Sequence, residues 1–145
     1  MIVYLDIDGV IIPKGSDPNV ISPDFAARLT RILDATGARI VVSSHRRRSP
    51  HAVRALLTAS GVARDRFAAD PFTALVLPDL DDDLSIRGQE IARHVQRNNV
   101  EAYVILDDCP CLPSQASLHV QTDDRRGLSD VDADVAINIL RPIFS

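Results

Sequence analysis

The sequence predicts an α/β fold: a parallel five-stranded sheet, doubly wound, in three layers with helices on both faces. Three observations predict it. Short β-branched runs alternate with segments whose apolar residues recur at helical spacing, the pattern of repeated strand–helix–strand units with right-handed crossovers. The runs are apolar throughout rather than alternating, as expected of parallel strands buried on both faces. The 145 residues suffice for one such sheet. Residues 1–145 are therefore read as a single domain.

The first strand lies in Met1–Leu5 and runs straight into Asp6-Ile7-Asp8-Gly9-Val10, two carboxylates one residue apart followed by a glycine. A turn-rich piece, Ile11 to Asn19, follows. Ser22-Pro23 reads as an N-cap with proline at the first helical position, and Phe25, Leu29, Ile32 and Leu33 then form a buried stripe up to Gly37. Arg39–Val42 is the second strand, ending in Ser43-Ser44-His45-Arg46-Arg47-Arg48. Ser49-Pro50 repeats the cap signal, with Val53, Leu56 and Leu57 carrying a helix to Gly61.

Thr73–Leu77 reads as the third strand, closed by Pro78 and an acidic loop, Asp79–Asp83, which has no paired ligand spacing and reads as solvated. A helix from Ser85 to Asn98 buries Ile91 and Val95. Ala102–Leu106 is the fourth strand, ending in Asp107-Asp108, and Leu118–Val120 the fifth. Ser129 caps a last helix that buries Val135, Ile139 and Leu140 and is stopped by Pro142.

Strand ends are where open α/β sheets hold ligands. Two anions as close as Asp6 and Asp8 call for a cation, and Asp6 with the Asp8 backbone would suit a hard divalent ion such as Mg²⁺. An EF-hand is excluded, because the third acidic ligand and the closing glutamate of a calcium loop are absent. A net charge of −4 and a pI near 5.4 argue against a dedicated DNA-binding protein held by counterion release. Of sixteen basic residues only Lys14 is lysine. Cys109 and Cys111, separated by Pro110, are too few for a structural zinc site and awkward for a mutual disulfide, so they read as free thiols. The acids interrupt the only N-terminal apolar run and no stretch reaches transmembrane length, which predicts a soluble cytoplasmic protein with no membrane partner.

Asp6-Ile7-Asp8-Gly9-Val10 after an apolar strand resembles motif I of the haloacid dehalogenase (HAD) superfamily, Rossmann-like and mostly Mg²⁺-dependent phosphohydrolases. The resemblance implies that Asp6 is the nucleophile that takes the phosphoryl group and Asp8 the general acid and base. Val41-Val42-Ser43-Ser44 resembles motif II, with Ser43 as the phosphate-binding hydroxyl and Ser44 as its alternate. Ser85-Ile86-Arg87-Gly88 stands where motif III belongs; the family generally has lysine there, and Arg87 keeps the charge in a bidentate form. Val104-Ile105-Leu106-Asp107-Asp108 resembles motif IV, so that Asp6, Asp8, Asp107 and Asp108 form the implied metal set. Gly9, Ser44 and Arg46 fall to substrate binding.

A finer resemblance is to the HAD-type domains of Swiss-Army-knife RNA repair proteins. It rests on Ser43-Ser44-His45-Arg46, Arg87-Gly88-Gln89-Glu90-Ile91, Leu106-Asp107-Asp108, and Thr122-Asp123 with Gly127-Leu128. His45 departs from that pattern, which has tryptophan. No gap between motifs is long enough for a lid domain, which implies an open site for the phosphate of a large substrate such as an RNA or protein end, or one enclosed by a partner chain. A small phosphate is the remaining case. The basic run His45–Arg48 reads equally as contacts to a polynucleotide backbone and as a solvated loop offsetting the acids. The competing reading is a catalytically weak phosphate- or metal-binding module in an RNA-repair or signalling assembly. A receiver-type signalling domain fits poorly, since Leu75-Val76-Leu77 runs into Pro78 rather than a phospho-accepting aspartate.

Overall fold

The computed structural model describes residues 1–75 and 85–141. Five strands, β1 (Ile2–Leu5), β2 (Arg39–Val42), β3 (Phe67–Phe72), β4 (Tyr103–Asp107) and β5 (His119–Gln121), form one sheet. Its order is β3-β2-β1-β4-β5 and every pairing is parallel. Among the described residues three helices connect strands, α1 (Pro23–Thr36), α2 (Pro50–Ala59) and α3 (Ile86–Asn98), and a fourth, α4 (Asp130–Leu140), follows β5. This is the predicted doubly wound α/β architecture.

Alternation along the central strands divides the core in two. Val3 and Leu5, Ile40 and Val42, and Val104 and Leu106 face the larger half, where they meet Leu29 and Leu33 of α1, Val53 and Leu57 of α2, and Ala133 and Ala136 of α4. Tyr4, Val41 and Ile105 face the smaller half, closed by Ile91 of α3. Connections therefore leave β1's two sides on opposite faces, which opens a crevice at the carboxyl ends of β1 and β4.

The small residues of α4 let it lie close against α1, and the pair is tied at its surface by Arg28 to Asp130 and Arg31 to Asp134. Gly37 ends α1 in the left-handed region at φ 72°, its amide donating to the Leu33 carbonyl. Ser129 and Asp132 make a reciprocal capping box at α4. Ser22 and Ser49 hold the N-cap positions expected of them, each followed by proline, but neither side chain makes a cap bond.

Several expectations need correction. The third strand is Phe67–Phe72, ahead of the expected Thr73–Leu77. The end of that expected strand, residues 76–77, lies outside the described residues, together with Pro78 and the acidic loop. The observed strand sits at the sheet edge, where Pro71 and a register shift against Ile40–Val42 are tolerated. Phe67 anchors it in the core, with Arg54 over its ring. Leu75, which drew the strand boundary forward, is exposed. On α4 the buried positions are Ala133, Ala136 and Leu140, whereas Val135 faces solvent, because the stripe follows the close contact with α1 rather than the largest side chains. On α1, Ala26 rather than Phe25 completes the buried stripe. Pro142 lies outside the described residues.

At the start of α3, Gly88 packs so tightly that a Cβ there would lie 2.7 Å from both the Leu112 amide nitrogen and Gln115 Oε1. Gln115 fills the gap with its own bonds to the Gly88 carbonyl and the Leu112 amide. Gly88→Ala is expected to destabilise the fold by about 1–3 kcal/mol, through overpacking that the backbone of 112 cannot yield to. Urea denaturation checks this; an unchanged midpoint would show that the contact relaxes freely.

Candidate active site

The strand registers bring the site together. Leu5 pairs with Val42 on one side and Leu106 on the other, so the next residues, Asp6, Ser43 and Asp107, emerge side by side at the crevice. By parity they continue the face of Tyr4, Val41 and Ile105, the face that α3 covers. Arg87, in the first turn of α3, arrives from above. Asp6 is 5 % exposed, and Ser43 and Asp107 are fully buried.

Arg87 is the cation between the acids. Its Nη1 lies 2.5 Å from Asp107 Oδ2 and 3.5 Å from Asp6 Oδ2. Burial works against the guanidinium charge, but Asp107 and Asp6 overcome it and hold the group above its ordinary pKa. One cation does not neutralise the acids around it. Burial, and after it the charge of Asp107, push Asp6 well above the usual carboxylate range, against the opposing effects of Arg87 and the Ile7 amide, which donates to Asp6 Oδ1 at 2.8 Å. Asp107 is raised as well, by burial first, although the Cys109 amide donates to its Oδ1 at 2.9 Å.

Asp108 turns the other way, half-buried, with its carboxylate beside Asp6 and against Gly9. A Cβ on Gly9 would lie 2.6 Å from Asp108 Cγ and Oδ2, and the φ of 82° already requires glycine. Gly9 spends its amide on the Ile12 carbonyl at 2.8 Å, so what it contributes is room for the acid. Asp8 points outward. Arg46 grips its carboxylate through two bonds, Nε to Oδ2 at 2.9 Å and Nη2 to Oδ1 at 2.7 Å, while Nη1 reaches the Pro18 carbonyl at 2.7 Å.

The two serines of the β2 exit divide their work. Ser44 Oγ accepts from the Arg46 amide and caps the 3₁₀ turn His45–Arg48. Ser43 Oγ is buried with no hydrogen-bond partner among the described residues, and so is Thr73 Oγ1, whose amide bonds the Val42 carbonyl next door. Orphan hydroxyls of this kind are costly unless a ligand answers them. Lys14 sits away from the acids, in a surface pair with Asp124.

Several residues support the site through pairings that the sequence does not disclose. Arg47, in a run that reads as solvated or substrate-facing, is buried: it donates to the carbonyls of Ser43 and Ser44 and pairs with Glu90 of α3. The helix that carries Arg87 is thereby bolted to the loop that carries Ser43. Only a glutamate on the apolar side of α3, one residue before Ile91, could have signalled it. His94 is a structural residue of the same face, its ring bonded to Tyr4 Oη at 2.7 Å and to the Asp70 carbonyl at 2.8 Å. The late Thr122…Gly127-Leu128 segment braces the acidic loop. Thr122 Oγ1 donates to the Gly9 carbonyl at 2.7 Å, and the Leu128 amide donates to the Val10 carbonyl at 2.6 Å.

The donor set suits a hard cation. Asp6 and Asp108 are close enough to share a hydrogen bond, a contact between acids that a bound divalent ion would replace with attraction. Asp107, Asp108 and Cys109 also bring ligand atoms within 4.8 Å of one another. Both thiols are free. Burial and the neighbouring acids push the Cys109 thiol up, and Cys111 up to about 12.

A family profile described as the HAD domain in Swiss Army Knife RNA repair proteins matches residues 2–133. No curated protein and no solved structure gave a significant match. No helix among the described residues is long and apolar enough to cross a membrane.

Two measurements follow from the electrostatics. Asp6 is raised to about 8, so between about pH 4 and pH 8 the folded protein holds a proton that the unfolded chain has lost. Metal-free stability should therefore fall as pH rises across that window, and Asp6→Asn should flatten the fall, with a gain on the order of 2 kcal/mol at the upper end. Parallel pH profiles for the two proteins would refute the crowding. Glu90→Gln strands the Arg47 charge and should cost about 3–5 kcal/mol, whereas the double change Arg47→Met with Glu90→Met should recover most of it. Thermal melts of the three proteins decide.

Proposed function

The chain belongs to the HAD domain family of Swiss Army Knife RNA repair proteins, and from that premise we propose that it is a Mg²⁺-dependent phosphomonoesterase acting through an aspartyl phosphate on Asp6. The observation that carries the reading is the convergence at one crevice of a carboxylate, an unpartnered buried hydroxyl and a half-buried guanidinium, Asp6, Ser43 and Arg87. That is a nucleophile with donors for phosphate oxygens on two sides. Asp6 and Asp108, with the Asp8 backbone, would hold the ion, while Asp107 acts through Arg87. When bound, Mg²⁺ supplies charge that keeps Asp6 ionised and offsets the phosphate dianion.

The chain's own groups account for the remaining chemistry. The Ile7 amide holds Asp6 Oδ1, which leaves Oδ2 turned toward Arg87 and the incoming phosphorus. As the Asp6–phosphorus bond forms and the bond to the leaving oxygen breaks, Asp8 gives its proton to that oxygen. Water then attacks the aspartyl phosphate, Asp8 takes the water's proton, and Asp6 departs as carboxylate with inorganic phosphate. Arg46 must loosen its grip on Asp8 for either transfer, because its Nε–H and Nη2–H occupy both carboxylate oxygens and the leaving oxygen or the water needs one of them.

The segments where relatives in the superfamily carry lids are short here, 11–22 and 73–85. An open site of this kind fits a phosphate borne on a large molecule, and the family favours an RNA end. The grip of Arg46 on Asp8 also gives the second reading, a phosphate- and metal-binding module with weak turnover, its specific support.

Hydrolysis of an aryl phosphate should require Mg²⁺, stop with a chelator, and fall by at least about 10²-fold in Asp6→Asn. Turnover undiminished in that variant would sink the proposal. Metal-dependent phosphate binding with no turnover would move the protein to the second reading.

A further inference from the structure

Beside Asp8 the surface opens into a cleft of about 520 Å³, between Pro18–Asn19, the turn His45–Arg48 and one face of α2. Arg46 is the wall shared by cleft and site, since its guanidinium holds Asp8 on one side and the Pro18 carbonyl on the other. The position matters chemically. A group that protonates the leaving oxygen must stand on the leaving-group side of phosphorus. The body of the substrate therefore lies toward Asp8 and away from Arg87, and the cleft is the cavity on that side.

Its lining names the kind of body it takes. Ala52, Ala55 and Leu56 of α2 make an apolar floor, and Arg46 and exposed Arg48 stand at the rim. No acidic residue lines it among the described residues, although the whole chain carries a net charge of −4. An apolar floor with two guanidiniums at its edge suits a neutral ring system attached to a further anion. We propose that the cleft is the subsite for the terminal nucleoside of a phosphorylated single-stranded polynucleotide, with the adjoining phosphodiester at Arg48. This rests on the assignment of Asp6 and Asp8 above. A phosphopeptide matches less well, because its leaving group brings no obligatory second anion to Arg48. No Phe, Tyr or Trp lines the cleft among the described residues, and the one ring on it is the exposed imidazole of His45, a platform that stacks on any base and leaves base identity largely unread.

The test compares an aryl phosphate, a nucleoside monophosphate, a trinucleotide with a terminal phosphate and a phosphopeptide on the full chain, with Arg48→Ala and the floor-filling Ala55→Trp. The trinucleotide should exceed the nucleoside monophosphate in kcat/KM by about tenfold, an advantage that shrinks with salt. Arg48→Ala should lower the trinucleotide value about tenfold more than the aryl phosphate value, and Ala55→Trp should raise KM for the trinucleotide more than for the aryl phosphate. Equal losses on all substrates, no gain from added nucleotides, or a preference for the phosphopeptide would each overturn the subsite. If the wild type hydrolyses nothing, the enzymatic reading fails separately, and the subsite is judged by binding of the phosphorylated trinucleotide. Binding that Arg48→Ala weakens upholds it, and binding that ignores the substitution overturns it.

Discussion

Two buried carboxylates and one guanidinium set the terms for the rest of this molecule. Asp6 and Asp107 lie side by side because their strands are in register, and the sheet cannot separate them without breaking its core. Arg87 pairs with both, which makes the position of α3 an electrostatic matter as well as one of packing. Such an arrangement is costly in an empty site, where acids in low dielectric repel one another and prefer to keep a proton. It becomes favourable once positive charge and phosphate oxygens enter. Stability without ligand is exchanged for a site already in its working geometry.

The surrounding structure serves that geometry by fixing backbone rather than by adding donors. Arg47 binds the carbonyls at the β2 exit, Gln115 ties the first turn of α3 to residue 112, and Thr122 and Leu128 hold the carbonyls of Gly9 and Val10. The bonds to Gly88, Gly9 and Val10 reach main chain from a distant part of the sequence. Together they leave Ser43 Oγ without a partner among the described residues, which a loosely held loop would not maintain.

The residues at the centre were legible because each is an acid, serine or arginine set at the end of an apolar run or the start of a helix, where polarity interrupts a pattern. The sheet was legible for the same reason, in the alternation of apolar runs with helical stripes. What could not be read was pairing across sequence. An arginine triplet looks alike at all three positions, yet Arg46 binds Asp8 at the surface, Arg47 is buried against Glu90, and Arg48 faces solvent. Which arginine goes inward is decided by a helix some forty residues later. The third strand was misplaced because local β-propensity around Leu75 outweighs that of an edge segment containing Asp70 and Pro71, and only the contact of Phe67 with the core reverses the preference. On α4, side-chain size suggested Val135 as the buried face, whereas close approach to α1 selects alanine.

The brace from Thr122 and Leu128 to the acidic loop has a consequence for how the chain is made. The loop at residues 8–10 is synthesised ahead of the residues that hold it, since the bonds to Gly9 and Val10 come from more than a hundred positions later. Contacts of such separation carry the loop-closing entropy of the whole intervening chain. On the ribosome, the early acids therefore exist for most of the chain's emergence without the frame that aligns them. The crevice is complete only once residues 122 and 128 have reached the carbonyls of Gly9 and Val10.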